Sequence, residues 1–266
     1  MNRQPRFLSG LAAVVLLAGA TVDAARAAPP TVAAAADLRF ALTELAERFR
    51  QETGQTVNLS FGSSGTFTHQ IEQGAPFELF LSADEAFVFR LADAGLTLDR
   101  GTLYAIGRLV LFAPHGSPLE VDGDLQGLRA ALADGRIRRF AIANPEHAPY
   151  GRAARAVLEH AGLWEDIQGR LVLGENASQA MQFAASGSSQ GGIVPLSLSK
   201  ADEVAALGRF ALLPAEWHVS EPLRQRMALL KTAGDSARAF HAYLQTPAAR
   251  EVLVRNGFVL PDGVPP

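Results

Sequence analysis

The sequence predicts an α/β protein made of two similar lobes with a cleft between them. Two observations lead there. Short apolar runs alternate with helical patterns from residue 31 onward, the mark of βαβ units and a mostly parallel sheet. That series then occurs a second time after residue 109, and a late strand and helix return the chain to the first set.

In the first lobe, residues 31–35 read as a strand. Leu42, Leu45, Ala46 and Phe49 then recur at helical spacing before the Gly54 stop. Residues 56–61 are a second strand with a helix from Thr66, and residues 77–81 a third strand with a helix over 85–94 ended by Gly95. An apolar run over 109–113, closed by the turn cluster Pro114-His115-Gly116-Ser117-Pro118, opens the second lobe. There the order is helix 125–132, strand 140–143, helix 152–161, strand 171–173, helix 178–185 and strand 192–194. A strand over 227–230 and a helical stretch over 237–256, broken at Pro247, complete the chain. The division that follows is 28–108 with 223–266 for lobe I and 109–222 for lobe II. The cleft between such lobes is where an α/β protein places its ligand.

Residues 1–27 read as a cleavable signal peptide rather than as part of the fold. Arg3 and Arg6 form a basic start, residues 8–22 are apolar and small, and Ala25-Arg26-Ala27 fits the cleavage site. No other segment approaches transmembrane length. The 266 residues include no cysteine, so neither disulfides nor a lipid anchor on an N-terminal cysteine are expected. A freely soluble periplasmic protein of about 239 residues follows. Its formal charge of −3 becomes about −5 once the leader, with three arginines and one aspartate, is removed. An acidic protein makes a poor partner for nucleic acid.

Four strand-to-helix junctions carry the chemistry. They are Ala36-Asp37, Ser63-Ser64-Gly65, Ala148-Pro149-Tyr150-Gly151 and Asn176-Ala177-Ser178. A helix start exposes unpaired N–H groups and the positive end of a dipole, and neighbouring hydroxyls add neutral donors. No Lys or Arg stands within these turns, although Arg39 and Arg152 lie just inside two of the helices. Together the junctions predict a neutral pocket for a small anion. Catalytic readings are weaker. Gly187-Ser188-Ser189-Gln190-Gly191 matches G-x-S-x-G, but a helix precedes it and a strand follows, the reverse of a nucleophile elbow. The six histidines lack metal-ligand spacing, and there is no phosphate-binding glycine motif. A binding protein is expected rather than an enzyme.

Four segments in this order resemble the periplasmic molybdate-binding proteins, the substrate-binding components of molybdate ABC importers. They are Phe61-Gly62-Ser63-Ser64-Gly65, the stretch Gly74-Ala75-Pro76-Phe77-Glu78-Leu79-Phe80-Leu81-Ser82-Ala83-Asp84, then Asn144-Pro145-Glu146-His147-Ala148-Pro149-Tyr150-Gly151, and Gly174-Glu175-Asn176-Ala177-Ser178-Gln179-Ala180. The resemblance implies a class II periplasmic-binding-protein fold, a molybdate or tungstate oxyanion held without cofactor or direct cation site, a membrane permease as partner, and a monomer. Carried over, Ser64 matches a ligand hydroxyl, Ala177 a backbone donor, and Tyr150 falls where some members offer a tyrosine hydroxyl. Two positions depart from the family. Ala36-Asp37 replaces a hydroxyl or amide in the first loop, and Pro195 stands in the pocket wall where some members have tyrosine. Asp37 is therefore expected to turn away, capping its helix through the N–H of Arg39 or Phe40 or pairing with Arg39, with its own N–H toward the anion. The rival expectation is that Asp37 accepts a proton from an anion such as hydrogen phosphate. Another tetrahedral oxyanion, phosphate-like or sulfate-like, is the alternative ligand, and an exported hydrolase using Ser189 or Ser64 the remaining one.

Overall fold

A computed structural model describes residues 28–261 together with Met1, so the signal peptide expected at 1–27 lies, Met1 apart, outside the described residues. The chain first lays down β1 (Thr31–Ala35), α1 (Arg39–Thr53), β2 (Asn58–Gly62), α2 (Ser64–Glu72), β3 (Leu79–Ser82), α3 (Glu85–Asp93) and β4 (Thr102–Ile106). It then crosses into β5 (Leu109–Pro114), α4 (Gln126–Ala133), β6 (Phe140–Ala143), α5 (Pro149–His160), α6 (Trp164–Ile167), β7 (Leu171–Gly174), α7 (Ala177–Ala185), β8 (Gly192–Pro195), α8 (Leu196–Ser199), α9 (Asp202–Ala205) and β9 (Gly208–Leu212). It returns through β10 (Arg224–Leu229), α10 (Asp235–Tyr243) and α11 (Pro247–Arg255). Two five-stranded sheets result, ordered β2-β1-β3-β10-β4 in one lobe and β7-β6-β8-β5-β9 in the other.

The sheets are more mixed than the expected parallel pattern. β1 runs parallel to β2 and β3, but β10 is antiparallel to β3 and β4. In the second lobe β6 is parallel to β7 and β8, whereas β5 is antiparallel to β8 and β9. The antiparallel strands are those next to the crossings, which enter each sheet from the opposite end. β4 and β9 were not foreseen from the sequence. β9 lies at a sheet edge with Phe210 and Leu212 exposed, so it has no buried apolar face to announce it. Helix starts also come earlier than the periodicity implied. Pro149 opens α5 at its first position, where the missing N–H costs nothing. Ser63 caps α2, its hydroxyl accepting from the N–H of Thr66 at 3.3 Å.

Small side chains allow close layering. β1 is Thr-Val-Ala-Ala-Ala with its last four residues buried, so helices pack close on both faces. On one face Phe49 of α1 meets Phe240 and Tyr243 of α10, with ring centroids 5.1 and 5.4 Å apart. On the other face Phe67 of α2 packs edge-on against Phe77 at 5.3 Å. The second lobe has its own core, into which Ala35, Ala36 and Ala83 of the first lobe also pack. Two aromatic contacts tie α10 back to α1. Phe240→Ala should therefore cost about 3–5 kcal/mol of stability, measured as a lower urea midpoint with an unchanged slope.

Candidate functional site

The segments that meet in the cleft leave the C-terminal ends of parallel strands, the place where open α/β sheets gather ligands. Residues 36–37 follow β1, 63–64 follow β2, Ala83 follows β3, 148–150 follow β6 and Ala177 follows the end of β7. They line a small pocket between the lobes. Ala36, Asp37, Ser64, Tyr150 and Ala177, singled out from the sequence, all line it. Pro195 does not. It ends β8 opposite Leu109, and it is Ser197, two residues on, that reaches across the lobes by donating to the carbonyl of Asp37 at 2.9 Å.

Local sequence explains how each donor is presented. Ser64, Tyr150 and Ala177 occupy the first turns of α2, α5 and α7, where backbone N–H groups have no intrahelical acceptor. Asn176 holds the start of α7 by accepting from the N–H of Gln179 at 3.1 Å. The Ser64 hydroxyl is fully buried and accepts from the N–H of Ala83 at 2.9 Å. Its single O–H is thereby left to donate elsewhere. Asp37 is the one residue with an ionisable carboxyl among those lining the cavity, and no Lys or Arg lines it.

Asp37 makes neither the expected cap nor the expected pair with Arg39. It caps no helix, and Arg39 instead lies over the Phe61 ring with its Nε 3.4 Å from the Ser178 hydroxyl. The carboxyl is buried, and its Oδ2 accepts from Tyr150 at 2.9 Å and from the Gln225 amide at 2.5 Å. Tyr104 in turn donates to Gln225 Oε1 at 2.8 Å. Two strong donors in a dry interior outcompete a cap in the first turn, which would have exposed the acid. Oδ1 is buried with no hydrogen-bond partner among the described residues. The Tyr150 hydroxyl, expected to face an anion, spends its proton on Asp37. Gln225 and Tyr104 escaped the sequence reading because they lie 188 and 67 positions from Asp37 by number, Tyr104 on the unforeseen β4 and Gln225 just before the strand expected at 227–230.

The lobes are closed on each other. Gly65 N–H and the Ser63 hydroxyl both donate to the carbonyl of His147, at 3.0 and 2.8 Å. A Cβ on Gly65 would lie 2.5 Å from that carbonyl oxygen, so only glycine permits the approach. Ser178 donates to the carbonyl of Ala36 at 2.9 Å, and Arg152 bridges Asp84 and Glu221 at the rim. His147 is turned to Glu175, with Nε2 3.1 Å from its carboxylate, and is no partner for Ser64. Ser189 sits in the turn between α7 and β8, donating to the carbonyls of Phe183 and Gly191.

Burial pushes the Asp37 carboxyl from an ordinary 3.8 up to about 6, against the lowering effect of the Gln225 and Tyr150 hydrogen bonds. A folded value above the unfolded one means stability that is complete below about pH 4 and lost as pH rises through about 6. Asp37→Asn keeps an acceptor for both donors and removes that loss. The variant should be more stable than wild type by about 1–3 kcal/mol near pH 8, with the difference closing below about pH 4. Urea unfolding of the ligand-free proteins at both pH values checks it.

A family model of bacterial extracellular solute-binding proteins matches residues 30–259. The molybdate-binding protein ModA of Rhodobacter capsulatus is 35% identical over 263 residues, covering 97% of this chain and 99% of that protein. Its Azotobacter vinelandii counterpart is 38% identical over 250 residues, covering 93% and 96%. The solved structure of the Azotobacter vinelandii periplasmic molybdate-binding protein superposes with a TM-score of 0.79 at 33% identity, covering 88% of this chain and 100% of that one. With the two-lobed fold and the pocket between the lobes already described, these matches identify the chain as a member of the bacterial extracellular solute-binding protein family, grouped with its molybdate-binding proteins.

Proposed function

We propose that this protein captures molybdate in the periplasm and delivers it to the membrane permease of an ABC importer. The observation that carries the reading is the small pocket at three helix starts, with neutral donors from both lobes and no cationic side chain in its lining. Each helix start contributes roughly half a positive charge, so α2, α5 and α7 offset most of a dianion. The first-turn N–H groups and the Ser64 hydroxyl replace its water shell. All these donors address the oxygens, so molybdenum enters as cargo in its oxyanion and no cofactor or direct cation site is part of the reading. Tungstate, of nearly the same size, fits the same donors. Sulfate is discriminated by size, since an undersized anion cannot touch both lobes at once.

The mature chain is read as soluble, monomeric, exported by its cleavable leader and free of a lipid anchor. Among the described residues no helix is long and apolar enough to cross a membrane. The reading is of a binder rather than an enzyme, and among the described residues neither Ser64 nor Ser189 has a histidine partner. One observation favours a second ligand. The unpartnered Asp37 Oδ1 would accept a hydrogen bond from a protonated anion such as hydrogen phosphate.

A thermal-shift panel separates these ligands. Molybdate and tungstate should raise the melting temperature by several degrees at concentrations where sulfate and phosphate do not, through preferential binding to the native state. Equal shifts with sulfate or phosphate would remove the molybdate assignment. In calorimetric titrations Ser64→Ala should weaken molybdate binding by about 10- to 150-fold, the loss of one hydrogen bond to a charged ligand. Ser189→Ala, altered only in a turn away from the cavity, should bind like wild type.

A further inference from the structure

Asp37 places a carboxyl where a dianion is to be held. We propose that Asp37 binds the oxyanion as the neutral acid, its Oδ1 carrying a proton that it donates to an oxygen of the bound dianion, so that each capture at neutral pH takes up one proton from solvent. This rests on the oxyanion reading of the preceding section and adds a specificity-determining residue and a pH response to it.

Geometry assigns the proton to one oxygen. Oδ2 already accepts from Tyr150 and Gln225, whose single O–H and amide N–H are committed to it. Oδ1 is buried, receives no hydrogen bond from any other described residue, and belongs to a residue lining the pocket. An ionised Oδ1 would face the dianion with neither water nor donor between them. A protonated Oδ1 is a donor in need of an acceptor, and an anion oxygen is that acceptor. The charge balance agrees. Three helix starts supply roughly +1.5 against the dianion's two charges, and a third negative charge would go unmatched.

Among the described residues no Lys or Arg is bonded to Asp37 or lines the pocket, so no cation in contact supplies the balance instead. Facing Asp37 are the neutral phenols of Tyr104 on β4 and Tyr150 on α5 and the amide of Gln225 on β10. β2, α7 and α8 carry no charged residue, and the charged residues of α2, His69 and Glu72, lie in its last turns. Arg39 is engaged with Ser178 and Phe61, Arg152 with Asp84 and Glu221, and Arg224 and Arg226 with Glu85. Burial also raises the carboxyl to about 6 before any anion arrives. The sign follows. Below about pH 6 the acid is already neutral and binding takes up no proton. Above it, binding must first protonate the acid, and affinity falls about tenfold per pH unit.

The test is calorimetric titration of the mature protein with sodium molybdate in buffers of different ionisation enthalpy, near pH 5 and near pH 8. Wild type should take up close to one proton per anion near pH 8 and close to none near pH 5, with affinity about 100-fold weaker at the higher pH. Asp37→Asn offers an amide N–H in place of the acid. It should bind with pH-independent affinity, tighter than wild type near pH 8, and take up no proton. Tyr150→Phe removes a hydrogen bond that lowers the Asp37 value, so the onset of uptake should move to higher pH, a shift that a merely structural tyrosine would not cause. Molybdate bound by wild type near pH 8 without proton uptake would overturn the proposal and leave the function standing. An Asp37→Asn variant that binds more weakly than wild type near pH 8 would also overturn it, because the proton would then belong to the anion. No binding of molybdate by wild type at either pH would overturn the proposed function together with this inference.

Discussion

A carboxyl group buried between two lobes is the constraint around which this cleft is arranged. Asp37 comes from the end of β1, Tyr150 from the start of α5 in the other lobe, and Gln225 from the returning strand β10. Three segments distant in sequence are therefore fixed by one oxygen atom. Removing either donor would leave an acid in the interior less satisfied, and removing the acid would leave a phenol and an amide without their acceptor. Gly107, at the crossing, is part of the same arrangement. A Cβ there would lie 2.2 Å from the Tyr150 hydroxyl and 3.0 Å from the Gln225 amide nitrogen, so the crossing and the buried network occupy a single space.

That coupling ties chemistry to closure. The two crossings run side by side, with Gly107 N–H donating to the Leu223 carbonyl at 2.8 Å. Tyr150 can reach Asp37 only when the lobes have come together, as can Ser178 its acceptor on Ala36 and Gly65 its acceptor on His147. Most of these bonds are short, buried and neutral. The rim adds Arg152 between Asp84 and Glu221, partly exposed and so weaker per contact in salt. Closure thus has a dry, geometry-sensitive centre and a wet electrostatic edge.

Much of this was legible in the sequence, for reasons that vary by element. Strands such as 109–113 and 140–143 are apolar throughout because both faces are covered, and they stand out. The edge strand β9 buries little and does not. Three of the four expected helix starts, those of α2, α5 and α7, were readable because capping and turn residues are local signals, and Ser63 and Asn176 do cap as such residues should, whereas Ala36-Asp37 opens only a short 3-10 turn before α1. Five of the six residues expected around the cavity line it, and Pro195 stands off because the chain turns from β8 into α8 before reaching the cleft. The fate of Asp37 was beyond local reasoning. A cap is a short-range bond that any helix start offers, whereas the Tyr150 and Gln225 donors arrive from 113 and 188 positions away. Only the assembled fold reveals that competition.

The walls of the cavity have a consequence for how its preference can change. Ala35, Ala36, Gly62, Ala83, Ala148, Pro149 and Ala177 contribute backbone and at most a small apolar side chain. Donors built from backbone persist through substitution, so most point changes at these positions alter the room available and leave the hydrogen-bonding groups in place. The chemical character of the site is thereby concentrated in very few side chains, Ser64 and the Asp37–Tyr150 pair foremost. Retuning such a receptor toward a different anion is a matter of exchanging one or two polar groups against an inert frame, which makes the first loop the natural place for ligand choice to diverge among proteins that share this architecture.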